Sequence, residues 1–185
     1  MNGLRNWFTV PNLFTFVRLA LAPLVVYLIL NQRQLQAAAL FAVAAATDLI
    51  DGYLARRFHV ASPTGAYLDP IADKFLLSGV FLALALARSA PLWFVVLIFA
   101  RDLLILACSG AALLLTRLRA FPPSAWGKAS TFFQILAAVA YLARNAFGSS
   151  LLATLCATLV WPAAALTVWS GIDYGWRGWR LVRVH

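Results

Sequence analysis

The sequence predicts an all-α integral membrane protein with six transmembrane helices and both termini in the cytoplasm. Three observations predict it. Of the 185 residues, 63% are hydrophobic, whereas soluble domains run nearer to half apolar. The apolar residues gather into six runs of roughly 20, the length that crosses a hydrocarbon core of about 30 Å. The cations sit at the ends of those runs and favour one side, which sets the orientation.

Residues 1–8, with Arg5, Trp7 and Phe8, read as a brief interfacial segment. The first span covers 10–30; Pro11 suits its first turn, and Arg18 interrupts it. The second covers 34–56, and Ser62 and Pro63 mark the loop after it. The third covers 69–87, with Pro70 at its start. The fourth covers 92–115 and holds Arg101 and Asp102. A basic loop with Pro122 and Pro123 leads into the fifth, 125–142. The sixth covers 150–169, with Pro162 as a kink point. The tail, 170–185, alternates aromatic residues with Arg and reads as an interfacial helix, with Tyr174, Trp176 and Trp179 as a membrane-interface belt. The whole chain, 1–185, reads as one membrane domain. No cleavable signal is expected, because the first apolar run continues to full span length without a small-residue cleavage site.

Lysine and arginine give the orientation. Nine lie at the N-terminus, in loop 2–3, around loop 4–5 and in the tail: Arg5, Arg56, Arg57, Arg117, Arg119, Lys128, Arg177, Arg180 and Arg183. Three lie on the opposite side: Arg33, Arg88 and Arg144. The excess predicts a cytoplasmic face for loop 2–3 and both termini. A net charge of +9 placed at span ends fits a membrane surface and phosphate-bearing lipid, and nucleic acid is not an expected partner. Cys108 and Cys156 lie inside apolar runs, away from other metal-ligand types, and read as small core residues.

The carboxylates are the unusual feature. The chain has six acidic residues, all Asp, and four of them fall between Asp48 and Asp73. Asp48 and Asp51 are spaced i, i+3 at the end of the second span and share a helix face. Asp69 and Asp73 are spaced i, i+4 at the start of the third. A short loop between antiparallel helices brings the two faces to one point. Ionised carboxylates near a bilayer cost about 2.5–3.5 kcal/mol each on the lenient insertion scale, and four together repel. Divalent cations remove both penalties. An all-carboxylate set favours hard ions such as Mg²⁺, Mn²⁺ or Ca²⁺, and such ions bridge phosphate oxygens. Gly52 and Gly65 allow close backbone approach to a ligand, the small Ala55 shares the helix face around the carboxylates, and Arg56 can pair with a phosphate. Asp69 before Pro70 also has the pattern of a helix N-cap with proline at the first position. That accounts for one carboxylate and leaves three unexplained.

At these residues the chain resembles the CDP-alcohol phosphotransferase family. The signature D-x2-D-G-x2-A-R-x8-G-x3-D-x3-D is met at Asp48, Asp51, Gly52, Ala55, Arg56, Gly65, Asp69 and Asp73. The opening PNLFTFVRLALAP is similar to the first helix of the phosphatidylglycerophosphate synthase and cardiolipin synthase branches, and RDLLIL and GKASTFFQ have counterparts there. The resemblance implies a six-helix homodimeric membrane enzyme. It implies transfer of a phosphatidyl group from CDP-diacylglycerol to an acceptor hydroxyl, with release of CMP. It implies two divalent cations, Mg²⁺ or Mn²⁺, on Asp48, Asp51, Asp69 and Asp73, with Asp73 also the base. It implies a CDP site at Asn12, Thr15, Gly52, Ala55, Arg56 and Gly65. A bacterial inner membrane with the site facing the cytoplasm fits this picture.

The acceptor is read from other residues. Arg101, Lys128, Ser130 and Arg18 are candidates for a pocket that takes an acceptor phosphate. Against that, Arg101 can simply pair with Asp102, Lys128 can snorkel to the interface, and Arg18 can fix the bundle. Two acceptors fit an anion pocket, glycerol 3-phosphate and phosphatidylglycerol, and the first is the leading expectation. Typical phosphatidylglycerophosphate synthases show Arg-Glu in the fourth helix and two lysines in the fifth. The Arg101-Asp102 pair and the single Lys128 depart toward the cardiolipin branch. An ion or proton transporter is the competing non-enzyme reading, but it predicts charges spread through the membrane depth rather than gathered at one end.

Overall fold

A computed structural model describes the backbone of residues 10–58, 65–115 and 124–183, and the side chains of 17–47, 74–110 and 124–180. Every described element is an α-helix. In order they are α1 (Val10–Leu30), α2 (Gln34–Phe58), α3 (Gly65–Leu86), α4 (Leu92–Leu115), α5 (Ala125–Phe147) and α6 (Ser150–Arg183). The six expected spans are therefore six helices, with α2 and α5 running on to Phe58 and Phe147 and larger differences at the start of α3 and the end of α6. α3 starts at Gly65, so Asp69 and Pro70 lie inside the helix and Asp69 does not cap it. α6 runs unbroken for 34 residues, so the expected tail is the end of the sixth helix. At 1.5 Å per residue it is about 51 Å long, well beyond a hydrocarbon core of about 30 Å.

Among the described residues, two stretches are long and apolar enough to cross a membrane, Leu92–Gly110 and Ser150–Arg180. Three shorter apolar stretches, Val17–Leu30, Gln34–Thr47 and Lys74–Leu86, lie in α1, α2 and α3.

The helices form two compact units. The first comprises α1, α2 and α3 with Leu142–Gly148 at the end of α5. In it α1 packs against both α2 and α3. Arg18, Ala22, Val25 and Ile29 make the buried stripe of α1, at spacings of four, three and four that keep one face inward. Ala37, Phe41 and Ala44 do the same on α2. Two turns of this unit end in residues at positive φ, Gln32 (60°) and Arg88 (55°). The next amide in each reaches back across the helix end: Arg33 N to Leu28 O at 2.9 Å and Ser89 N to Leu84 O at 2.8 Å. These are the long bonds that close a helix C-terminus. The Arg144 guanidinium donates to Ser89 O at 2.6 Å and joins the end of α5 to the turn after α3.

The second unit comprises α4, the rest of α5, and α6, with α4 packed on α6. Its buried stripe on α6 is Cys156, Val160, Ala163, Thr167, Ser170 and Tyr174. These alternate by four and three, as a helix seam does. The unit has its polarity turned inward. Ser130 and Thr167 are 0% exposed while Leu103 is 69% and Leu151 76% exposed. A soluble bundle shows the opposite distribution. Lipid is the solvent in which large apolar side chains face out and polar groups find partners inside.

Candidate functional site

The aspartate motif spans the end of α2 and the start of α3. The backbone is helical at Asp48, Asp51, Asp69 and Asp73, which is what the i, i+3 and i, i+4 spacing argument requires. The side chains of these four lie outside the described residues, as do those of Asn12, Thr15, Ala55 and Arg56 and the surroundings of Gly52 and Gly65. Among the described residues no group of three or more His, Cys, Asp or Glu comes together. The donor chemistry of the motif, four carboxylates without a thiol or imidazole, fits hard divalent cations. Arg18 is 3% exposed on the inward stripe of α1, so a cation occupies the interior of the first unit.

The remaining candidate residues, Arg101, Lys128 and Ser130, fall in the second unit and lie among the described residues. Ser124 precedes α5 and caps it: its Oγ accepts from Gly127 N at 2.9 Å. This satisfies one of the amides that a helix start leaves without a partner. The amide of Ser124 itself is buried, and it donates to the Tyr174 hydroxyl at 2.9 Å. In a capping box, a side chain three residues into the helix returns that second bond. Here that position is Gly127, which has no side chain, and Tyr174 of α6 supplies the group instead.

Arg101 is 7% exposed, and its guanidinium ties three helices together. Nη1 donates to Asp102 Oδ1 at 2.7 Å. Nε and Nη2 donate to Ser170 Oγ at 3.2 and 2.9 Å. Nη2 also donates to Gly127 O at 3.3 Å. The Tyr174 ring lies 6.0 Å from the guanidinium carbon, within range of a cation–π contact. Arg101 thus has the Asp102 partner that the sequence allowed, and two further anchors on α5 and α6.

Lys128 follows Gly127 on the first turn of α5 and is exposed. Ser130, one turn deeper, shares a hydrogen bond with Thr167 at 3.1 Å. Gln134 Nε2 donates to Ser130 Oγ at 3.3 Å and to Thr167 Oγ1 at 3.0 Å. Both partners are fully buried, so this trio holds α5 to α6. The structure therefore gathers Arg101, Lys128 and Ser130 around the start of α5, with Arg101 and Ser130 turned into the bundle and Lys128 turned out.

Sequence reasoning missed Ser124, Gly127, Thr167, Ser170 and Tyr174. The belt reading suits Trp176 and Trp179, which are 50 and 52% exposed, but not Tyr174, which is 5% exposed. The signal was present: Thr167, Ser170 and Tyr174 continue the seam of Cys156, Val160 and Ala163. Their polarity hid them, because a search for apolar periodicity stops at Trp169. A groove of about 570 Å³ between α4 and α6 is walled mainly by Ala100, Leu104, Gly171, Gly175 and Trp176. Its lining includes no carboxylate.

The sequence profile of the CDP-alcohol phosphatidyltransferase family matches residues 8–169. The chain belongs to that family. It is similar to the CDP-diacylglycerol–glycerol-3-phosphate 3-phosphatidyltransferase of Pseudomonas fluorescens, with 37% identity over 179 residues, covering 92% of this chain and 90% of that protein. It is similar to the cardiolipin synthase (CMP-forming) of Streptomyces coelicolor, with 32% identity over 188 residues, covering 95% of this chain and 85% of that protein. A third relative is a cardiolipin synthase (CMP-forming) / mitochondrial hydrolase fusion protein of Schizosaccharomyces pombe. It is 45% identical over 102 residues, which is 55% of this chain but only 17% of the fusion protein. Membership of an enzyme family sets aside the transporter reading.

Proposed function

We propose that this protein transfers the phosphatidyl group of CDP-diacylglycerol to glycerol 3-phosphate in phospholipid biosynthesis, releasing CMP. The observation that carries this reading is the unbroken eight-position motif from Asp48 to Asp73 within a family match over 8–169. The acceptor rests on the relative that is 37% identical across nearly its whole length.

In this reading the acceptor hydroxyl oxygen attacks the phosphorus that carries diacylglycerol. The bond from that phosphorus to the oxygen bridging it to CMP breaks, and CMP leaves with that oxygen. Asp73 takes the proton of the hydroxyl, since a neutral alcohol is a poor nucleophile. Divalent cations are general to the family. Two of them, Mg²⁺ or Mn²⁺ held by Asp48, Asp51, Asp69 and Asp73, would neutralise the diphosphate and the leaving CMP. Asn12, Thr15, Gly52, Ala55, Arg56 and Gly65 bind the CDP moiety. Lys128 supplies a cation for the acceptor phosphate, with Arg101 and Ser130 behind it in the same unit, and Arg18 is a further candidate from the sequence. All six helices span the membrane, with both termini and the aspartates on the cytoplasmic side of a bacterial inner membrane. The chain works as a single catalytic domain in a homodimer.

Phosphatidylglycerol is the second acceptor. Two observations favour it: the similarity to the Streptomyces coelicolor synthase along 95% of the chain, and Arg101-Asp102 with a lone lysine in α5. One assay separates the readings. Purified protein is given CDP-diacylglycerol with either acceptor and Mg²⁺ or Mn²⁺, CMP is measured, and the lipid product is identified. Turnover with phosphatidylglycerol alone would replace glycerol 3-phosphate as the acceptor. No CMP release with any acceptor would remove the reaction itself.

A further inference from the structure

We infer that Arg101, Ser170 and Tyr174 are positioning residues for the acceptor: α4 and α6 lock the first turn of α5 and so fix Lys128. This rests on the proposed function, in which Lys128 meets the acceptor phosphate.

The lock acts on one peptide group. The carbonyl of Gly127 and the amide of Lys128 belong to the same planar unit. Arg101 Nη2 holds the carbonyl at 3.3 Å. Ser124 O holds the amide at 3.1 Å. Ser124 is in turn held through its own amide by Tyr174, and Arg101 is held by Ser170 and Asp102. The plane from which Lys128 extends is thereby held on its carbonyl edge by Arg101 of α4 and on its amide edge by Ser124, which Tyr174 of α6 holds in turn. A lysine side chain is a flexible stem with a point charge, so precision in its placement has to come from its backbone.

The same geometry decides between two roles for Arg101. A direct phosphate ligand needs donors that face the ligand. All three guanidinium nitrogens of Arg101 are engaged within the bundle, and Asp102 neutralises the charge at 2.7 Å. To reach a phosphate, Arg101 would abandon α5 and α6 together. It serves the acceptor through Lys128.

Packing gives independent support. A Cβ on Gly127 would stand 2.9 Å from the Tyr174 hydroxyl oxygen, 3.0 Å from its Cε2 and 3.3 Å from Arg101 Nη2. The α5 start fits under both side chains only because residue 127 lacks a side chain.

The test has two arms, both using Tyr174→Phe, which keeps the ring and removes the hydroxyl. In detergent or nanodiscs, amide hydrogen exchange at Ser124 should speed up by about fivefold or more, since its acceptor is lost. Unchanged exchange would overturn the lock whatever the enzyme's activity. In steady-state assays the acceptor KM should rise by about 3- to 10-fold, the loss of one modest hydrogen bond, while kcat and the KM for CDP-diacylglycerol stay within about twofold. Combined with Lys128→Ala, Tyr174→Phe should add nothing further to the acceptor KM, because both act through one group. Additive effects, or equal changes in both KM values, would reduce Tyr174 to a purely structural residue. Failure of the wild type to use either phosphate-bearing acceptor would sink the proposed function and with it the coupling to acceptor, while the exchange arm would still decide the lock.

Discussion

Gly127 and Tyr174 meet so closely that a methyl group on Gly127 would stand 2.9 Å from the tyrosine hydroxyl oxygen. That contact joins the start of α5 to a residue 47 positions later in α6. The two helices are fastened again one turn deeper by Ser130, Thr167 and Gln134.

Gly127→Ala tests the contact as packing. The added methyl forces Tyr174 or Arg101 to move, and overpacking of this kind costs about 1–3 kcal/mol. The melting temperature in detergent should fall, and the acceptor KM should rise with it. An unchanged melting temperature would mean that the α5 start has slack.

Asp73→Asn tests the base. Asparagine nearly matches the shape of aspartate but cannot take a proton. Loss of a general base lowers kcat by about 10²- to 10⁴-fold, with the protein still inserted in the membrane and purified intact. Retained turnover would assign the proton to another group.

Asp48→Ala tests the metal. Removing one of four carboxylates lowers the charge that holds the cations, so half-maximal activity should need about tenfold more Mg²⁺ or Mn²⁺. The readout is a metal titration of CMP release. A curve that does not shift would count against metal ligation at this position.

Lys128→Ala tests the acceptor site. A charged hydrogen bond is worth about 1.5–3 kcal/mol, so the KM for glycerol 3-phosphate should rise by about 10- to 100-fold. The KM for CDP-diacylglycerol should hold steady. A change confined to the donor would move Lys128 to the other substrate.

Much of the protein was legible without coordinates. Six apolar runs named the six helices because length and apolarity are properties of a segment alone. The aspartate motif was legible for a similar reason: Asp48 and Asp51, like Asp69 and Asp73, are related by local helical spacing. The end of α6 was not. Ser170 and Tyr174 carry the buried seam past Trp169, and polar side chains in a membrane bundle break the pattern that marks a core. The start of α3 was misplaced because Asp69-Pro70 imitates a helix start, whereas the helix begins at Gly65.

By itself the sequence determined the helical class, the membrane character and the carboxylate motif, since each follows from neighbours along the chain. Only the tertiary structure decided what Arg101, Ser130 and Tyr174 do. Their partners are 69, 37 and 50 residues away, and a hydrogen bond across that distance has no local signature. From the sequence, Arg101 reads as an open cation or as a neutralised pair. Its meeting with Ser170 and Gly127 makes it the anchor of the turn that carries Lys128.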